Sequence, residues 1–161
     1  MDLEELYDRF GDRTYHYLYI KLGSAGDAED VLQEVFYRLT RYSIRLKFIR
    51  RPAAFVFQTA RNEANRFLKK KIHEKNGCRK NTELCEIIST SISGPDEESV
   101  QILSASLAQL PEEQREIIVL KLFEGLTFKE IASACGLSIN TAASRYRYAI
   151  AKLRSFMEGK I

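Results

Sequence analysis

Apolar residues recur at helical spacing along most of this chain, and the places where the pattern breaks divide it into elements. Leu3, Leu6, Tyr7 and Phe10, then Tyr15, Leu18, Tyr19 and Leu22, predict a first helix that Gly23 stops. Asp27 is placed to cap a second helix running to about Arg41, with Ala28, Val31, Leu32, Val35 and Leu39 on its buried side. Its other face carries Asp30, Gln33, Glu34 and Tyr37, an i, i+3, i+4, i+7 stripe. Ser43 to Arg51 is basic and ends before a proline, so it reads as a loop. Pro52 suits the first turn of a long helix reaching roughly Ile72. Its apolar face is Ala53, Val56, Phe57, Ala60, Ala64 and Phe67, and a basic, amide-rich stripe of Gln58, Arg61, Asn62, Asn65 and Lys69 runs beside it.

Between Lys75 and Pro95 periodicity is lost and Asn76, Gly77, Ser89, Thr90, Ser91, Ser93 and Gly94 accumulate, which predicts a linker with one short apolar patch, Leu84 to Ile88. Helical pattern resumes near Asp96 with Val100, Leu103, Leu107 and Leu110. Pro111 opens a further helix containing Ile117, Ile118, Leu120 and Leu122, which closes at Gly125. With no strand pattern or internal repeat, the expected fold is all-α: two small helical domains, residues 1–74 and 96–161, joined by a flexible linker, residues 75–95.

The segment Thr127 to Ala149 carries a denser set of signals. Thr127 and Glu130 form a capping box, so a short helix begins at Phe128. Ala132 is small where a second helix must cross closely, Gly136 can take the positive φ of the turn, and Ser138 can cap the next helix. Ile131, Cys135, Leu137 and Ile150 supply apolar contacts, and neither Pro nor Gly interrupts Ile139 to about Met157. Together these features read as a helix-turn-helix. Asn140, Thr141, Ser144, Arg145 and Arg147 on its second helix can donate to phosphates and base edges.

Composition narrows the reading. No apolar run approaches the length of a membrane span, and the acidic start Met1-Asp2-Leu3-Glu4-Glu5 is unlike a signal peptide, so a cytoplasmic protein is expected. Cys78, Cys85 and Cys135 are odd in number and lack CxxC spacing, which points to reduced thiols. His73, Cys78 and Cys85 lack a fourth partner and rigid spacing for a metal, so no metal or other cofactor is expected. With only His16 and His73, and no glycine-rich phosphate loop, an enzyme is the least favoured class. The net charge of +3 conceals an alternation. Residues 1–37 hold 3 basic and 9 acidic side chains, 38–80 hold 14 and 2, 81–130 hold 3 and 10, and 131–161 hold 5 and 1. Two basic segments each following an acidic one imply two separate polyanion-binding surfaces.

Three stretches, Asp27 to Phe36 (DAEDVLQEVF), Ala60 to Ala64 (ARNEA), and the Leu110-Pro111 helix with the helix-turn-helix, together resemble regions 2 and 4 of bacterial sigma-70 family RNA polymerase sigma factors. The resemblance is to the small extracytoplasmic-function (ECF, group 4) type that keeps only those two regions. It implies a promoter-specificity subunit without catalysis of its own, which binds core RNA polymerase and directs promoter recognition and melting. Asp30, Gln33, Glu34 and Tyr37 would then face the coiled coil of the polymerase β′ subunit, their acidic character suiting a basic helix. Segment 43–69 would melt and read the -10 element through Arg50, Arg51, Arg61, Asn62, Asn65, Arg66 and Lys69. Phe48 and Phe55 offer flat side chains beside that basic groove, as single-strand capture requires. Asn140, Thr141, Ser144, Arg145 and Arg147 would enter the -35 major groove, and Pro111 to Glu124 would face the β flap. Proteins of this kind are often held inactive by an anti-sigma factor wedged between the two domains, which adds such a factor to the expected partners of polymerase and promoter DNA.

The chain departs from the family pattern at Ala142 and Ala143, where a β-branched and then a basic residue are usual, at Tyr148, commonly basic, and in having no tryptophan. Fewer charges on the recognition helix imply a weaker or differently specified -35 contact. The 21-residue linker reaches at most roughly 70 Å extended and averages about 25 Å as a coil. Elements two DNA turns apart, about 70 Å, lie at that limit, with the width of the domains making up the difference. Two other readings share these residues: a helix-turn-helix regulator that binds duplex DNA without polymerase, and a decoy that binds polymerase without melting DNA.

Overall fold

The computed structural model describes residues 1–74 and 96–159, and among them eight α-helices and one π-helical turn. Helix α1 (Leu3–Leu22) starts at a capping box between Asp2 and Glu5 and ends at Gly23, whose φ of 73° lets its N–H reach the Tyr19 carbonyl. Helix α2 (Ala25–Thr40) begins earlier than the sequence pattern suggested. Its cap is Ser24, which accepts from the Asp27 N–H, so Asp27 lies in the first turn, where its charge suits the positive end of the helix. Ser43–Leu46 forms one helical turn, α3, where a loop was expected, because Leu46 turns inward and is 3 % exposed. Helix α4 (Pro52–Glu74) follows. Cys78, Cys85 and the apolar patch Leu84 to Ile88 lie outside the described residues.

Helices α1, α2 and α4 pack on one another around Leu6, Phe10, Leu18, Val35, Leu39, Val56, Phe57, Ala60 and Ala64, all fully buried. Each large aliphatic or aromatic side chain so buried contributes about 1.5–3 kcal/mol. In the second half, α5 (Glu97–Gln109) is capped by Asp96, and α6 (Glu112–Ile118) runs into the π turn Val119–Phe123. In a regular helix Leu122 would follow Ile118 on one face. The π turn instead brings Phe123 onto the core and leaves Leu122 56 % exposed. Gly125, at φ 67°, then reverses the chain.

Helix α7 (Phe128–Cys135) opens on the Thr127/Glu130 capping box and closes at Gly136 with φ 68°; α8 (Ile139–Glu158) is capped by Ser138. These features are as the sequence predicts. Helices α5, α6 and α7 pack against α8. A small core of Val100, Leu107, Leu110, Ile118, Ala149 and Leu153 belongs to this half alone. The main apolar cluster, by contrast, continues from α1 and α4 through Ile117, Leu120, Leu126, Ile131, Ala132 and Ala134, with α4 lying along α7. The two halves are therefore in direct contact in this structure.

Candidate nucleic-acid interface

The packing of α2 on α1 and α4 turns Asp30, Gln33, Glu34 and Tyr37 outward together. All four are exposed, Tyr37 by 58 % with Arg41 stacked 5.5 Å from its ring centre. Behind this stripe Arg38 bridges Glu34 at 3.0 Å and the buried Glu63 at 2.6 Å, and Glu63 also meets Arg66 at 3.3 Å. These groups line a groove of about 270 Å³ with Asp30, Val31, Phe67 and Lys70. Arg66 thus stands on the α2 side of α4.

Around α3 and the start of α4 the surface combines aromatic and basic groups. Ile44 and Phe48 are 80 % and 82 % exposed, while Phe55 is half-buried edge-on to Tyr42. Arg50 and Arg51 are exposed and line a cavity of about 330 Å³ with Ile49, Ala54, Phe55, Gln58 and Ser133. Ser133 comes from α7, so one wall of that cavity belongs to the other half of the molecule. Farther along α4, Asn62 and Lys69 are exposed, Asn65 is half-buried, and Arg61 points to the other half.

On α8, the second helix of the helix-turn-helix, Asn140, Thr141 and Arg147 are exposed and Ser144 and Arg145 half-buried. The Thr141 hydroxyl lies 2.7 Å from the capping Ser138 hydroxyl, Arg147 donates to Ser144 at 3.3 Å, and Arg145 pairs with Glu113 at 3.5 Å. Ala142, where the family usually has a β-branched residue, is fully buried in the α7–α8 crossing, where a small side chain suits close packing, and Ala143 beside it is half-buried. Tyr148 is 70 % exposed.

A charged cluster that no residue pattern announces lies where the halves meet. Glu116 of α6, 7 % exposed, accepts from Lys21 at 3.1 Å, from the Tyr17 hydroxyl, and from Arg61 Nε through both oxygens at 3.1 and 3.2 Å. Burial works to raise the Glu116 carboxyl, but Lys21, Tyr17 and Arg61 outweigh it and hold it below the usual glutamate range. Burial, then the Glu116 charge, pushes the Tyr17 hydroxyl well above its ordinary value. Burial against the same group pushes the Cys135 thiol up to about 11. Nearby, Arg13 lies over the rings of Phe10 and Phe57, donates to the Glu124 carbonyl, and faces the Glu124 carboxylate at 3.8 Å. Burial dominates there and pushes Glu124 up to about 8 despite Arg13. Helical spacing can place Lys21 on a helix end, but nothing in it links Lys21 to a residue 95 positions away.

Two family models match: Sigma-70 region 2 over residues 6–72, and Sigma-70, region 4 over residues 101–153. The chain is 30 % identical to the ECF RNA polymerase sigma factor SigL of Mycobacterium tuberculosis, over 94 % of this chain and 86 % of SigL. The chain belongs to the sigma-70 family. It is also 25 % identical to the RNA polymerase sigma factor SigZ of Bacillus subtilis, over 99 % of this chain and 89 % of that one. The fold matches the sigma factor RpoE, solved in complex with the anti-sigma factor NepR from Bartonella quintana, with a TM-score of 0.73, 19 % identity and 98 % coverage of both chains. It also matches CnrH, solved with the cytosolic domain of CnrY, with a TM-score of 0.67, 22 % identity, and 99 % and 89 % coverage. As an ECF sigma factor it acts with RNA polymerase in transcription initiation, region 2 falling on α1 to α4 and region 4 on α5 to α8. Among the described residues no helix is long and apolar enough to cross a membrane, and no group of three His, Cys, Asp or Glu side chains could hold a metal ion.

Proposed function

We propose that this sigma factor docks on the β′ coiled coil through Asp30, Gln33, Glu34 and Tyr37, reads and melts the -10 element around α3 and α4, and reads the -35 element with α8. The observation that carries this reading is the two-faced α2: its apolar side is consumed by α1 and α4, while the four-residue stripe stays together in solvent. An exposed, one-sided acidic and amide stripe suits a basic helical partner. Phe48, Arg50 and Arg51, all exposed between α3 and the start of α4, suit an unstacked base and its phosphates. Arg61, Asn62, Asn65 and Lys69 extend the DNA track along α4, and Arg66, reached from the α2 groove, flanks it. Asn140, Thr141, Ser144, Arg145 and Arg147 on the first three turns of α8 serve the upstream element. The functional units are residues 1–74 and 96–161, tethered through 75–95. The protein performs no catalysis itself and works in the cytoplasm where polymerase is found. RpoE and CnrH were each solved with a partner, NepR and CnrY, and a comparable anti-sigma factor is proposed here.

The test separates docking from melting. Asp30→Lys combined with Gln33→Ala is expected to weaken core polymerase binding at least tenfold in fluorescence anisotropy. Arg50→Ala with Arg51→Ala should leave that affinity unchanged and reduce permanganate-reactive promoter opening by a similar factor. Loss of opening without any change in docking for the first pair, or normal opening for the second, would refute the assignment.

A further inference from the structure

The interface between regions 2 and 4 uses the same side chains that the proposed DNA contacts need. Arg61 of α4 is clasped by both oxygens of Glu116, and Arg145 of α8 pairs with Glu113. Glu113 and Glu116 are three residues apart on α6, about 5 Å along its axis. One turn of one helix therefore holds an arginine of the -10 surface and an arginine of the -35 surface, whereas promoter elements two DNA turns apart lie about 70 Å from each other. The cavity at Arg50 and Arg51 is likewise walled by Ser133 of region 4. In this arrangement the chain cannot span both elements.

We propose that Glu116 is an intramolecular latch, which through Lys21, Tyr17 and Arg61 holds the sigma factor in a closed, DNA-incompetent state that must open before a promoter is engaged. The chemistry suits a reversible closure. Lys21 and Glu116 are 6 % and 7 % exposed, so their attraction is little screened by water when closed, yet both return to solvent when the halves part. The apolar contact of Ile131, Ala132 and Ala134 with the α4 side closes the same interface, and a cavity of only about 20 Å³, lined by Tyr17, Lys21, Glu112 and Glu116, remains beside the pair. Opening also uncovers Cys135, now half-buried at the end of α7. The apparent affinity for polymerase and promoter is then reduced by the fraction of molecules open, so weakening the latch raises activity.

This latch rests on the DNA assignment for Arg61 and Arg145, but opening can be read with neither DNA nor polymerase present. In a chain carrying Cys78→Ser and Cys85→Ser, maleimide labelling of Cys135 is measured for the parent, for Glu116→Gln and for Lys21→Met, with far-UV circular dichroism on each. Both substitutions are expected to speed labelling at least tenfold while helicity is kept. Equal rates in parent and variants overturn the latch. Small-angle scattering of the unsubstituted chain decides independently of whether a variant folds: a profile as extended as that of two tethered, non-touching domains overturns it, and a compact one supports it. Faster labelling in variants that still direct no transcription would count against the promoter-reading assignment and leave the latch standing.

Discussion

Helix α4 carries a buried carboxylate network on each of two sides, and the two differ in what they tie together. On the α2 side, Glu63, 7 % exposed, binds Arg38 and Arg66, all within region 2. On the inner side, Glu116, equally buried, binds Lys21 and Arg61 across the two regions. The chemistry is nearly the same. The alternatives open to each carboxylate are not: Glu63 shares α4 with Arg66 and can leave Arg38 only by disrupting the α2–α4 packing, whereas Glu116 can leave with the whole of region 4. A buried ion pair within one module acts as part of its fold, and the same pair between two tethered modules can act as a switch.

The largest expected effect breaks the first network. Glu63→Ala leaves Arg38 and Arg66 facing an emptied site, but both are a third or more exposed, so the cost is about 1–3 kcal/mol, less than for a fully buried pair. It should appear as a lower urea midpoint with an unchanged m-value; for Glu116→Ala the cost is capped by the free energy of opening, and a midpoint lowered by as much or more would erase the distinction. The second prediction concerns pH. Glu124 is raised from 4.5 to about 8 by burial, with Arg13 of α1 facing it and offsetting only part, so the folded, closed state binds a proton that the open or unfolded chain releases. Its contribution to stability is full below about 4.5 and declines as pH rises through about 8. Urea titrations between those limits should show stability falling by at least about 1.4 kcal/mol, a tenfold change in the equilibrium, and Glu124→Gln should flatten that slope. A slope unchanged by the substitution would remove Glu124 from the interface electrostatics. The smallest effect is local to region 4. Thr127→Ala removes the hydroxyl that accepts from the Glu130 N–H, costing about 1 kcal/mol and loosening the angle between α7 and α8. Differential binding to duplexes carrying and lacking an upstream element checks it, and unchanged discrimination would show that the cap serves stability alone.

Much of this was legible in the residues themselves. The helix-turn-helix was readable because its signals are local: Thr127 and Glu130, Gly136 and Ser138 act on backbone groups within a turn of themselves. The α2 stripe was readable because helical periodicity alone separates the buried face from the exposed one. The start of α2 at Ser24 was missed because Asp27 is an equally good cap by residue type, and only the backbone conformation decides between them. The turn at Ser43–Leu46 was hidden by its basic residues, its single anchoring side chain being Leu46. That Ala142 is buried in the α7–α8 crossing could not be read from residue type, because only the packing of the two helices decides which face it occupies.

The sequence by itself determined the long helices, the caps of the helix-turn-helix, the alternation of acidic and basic segments and, through three motifs, the family, because each depends on groups a few residues apart. Tertiary structure alone decided that Glu116 meets Lys21, Tyr17 and Arg61, that Glu124 is driven above the carboxylate range, and that Arg61 of α4 and Arg145 of α8 are both paired with carboxylates of one helix. Those outcomes depend on how one module settles on another across a tether, and a hydrophobic face is matched in sequence to its own helix, not to the partner that will cover it.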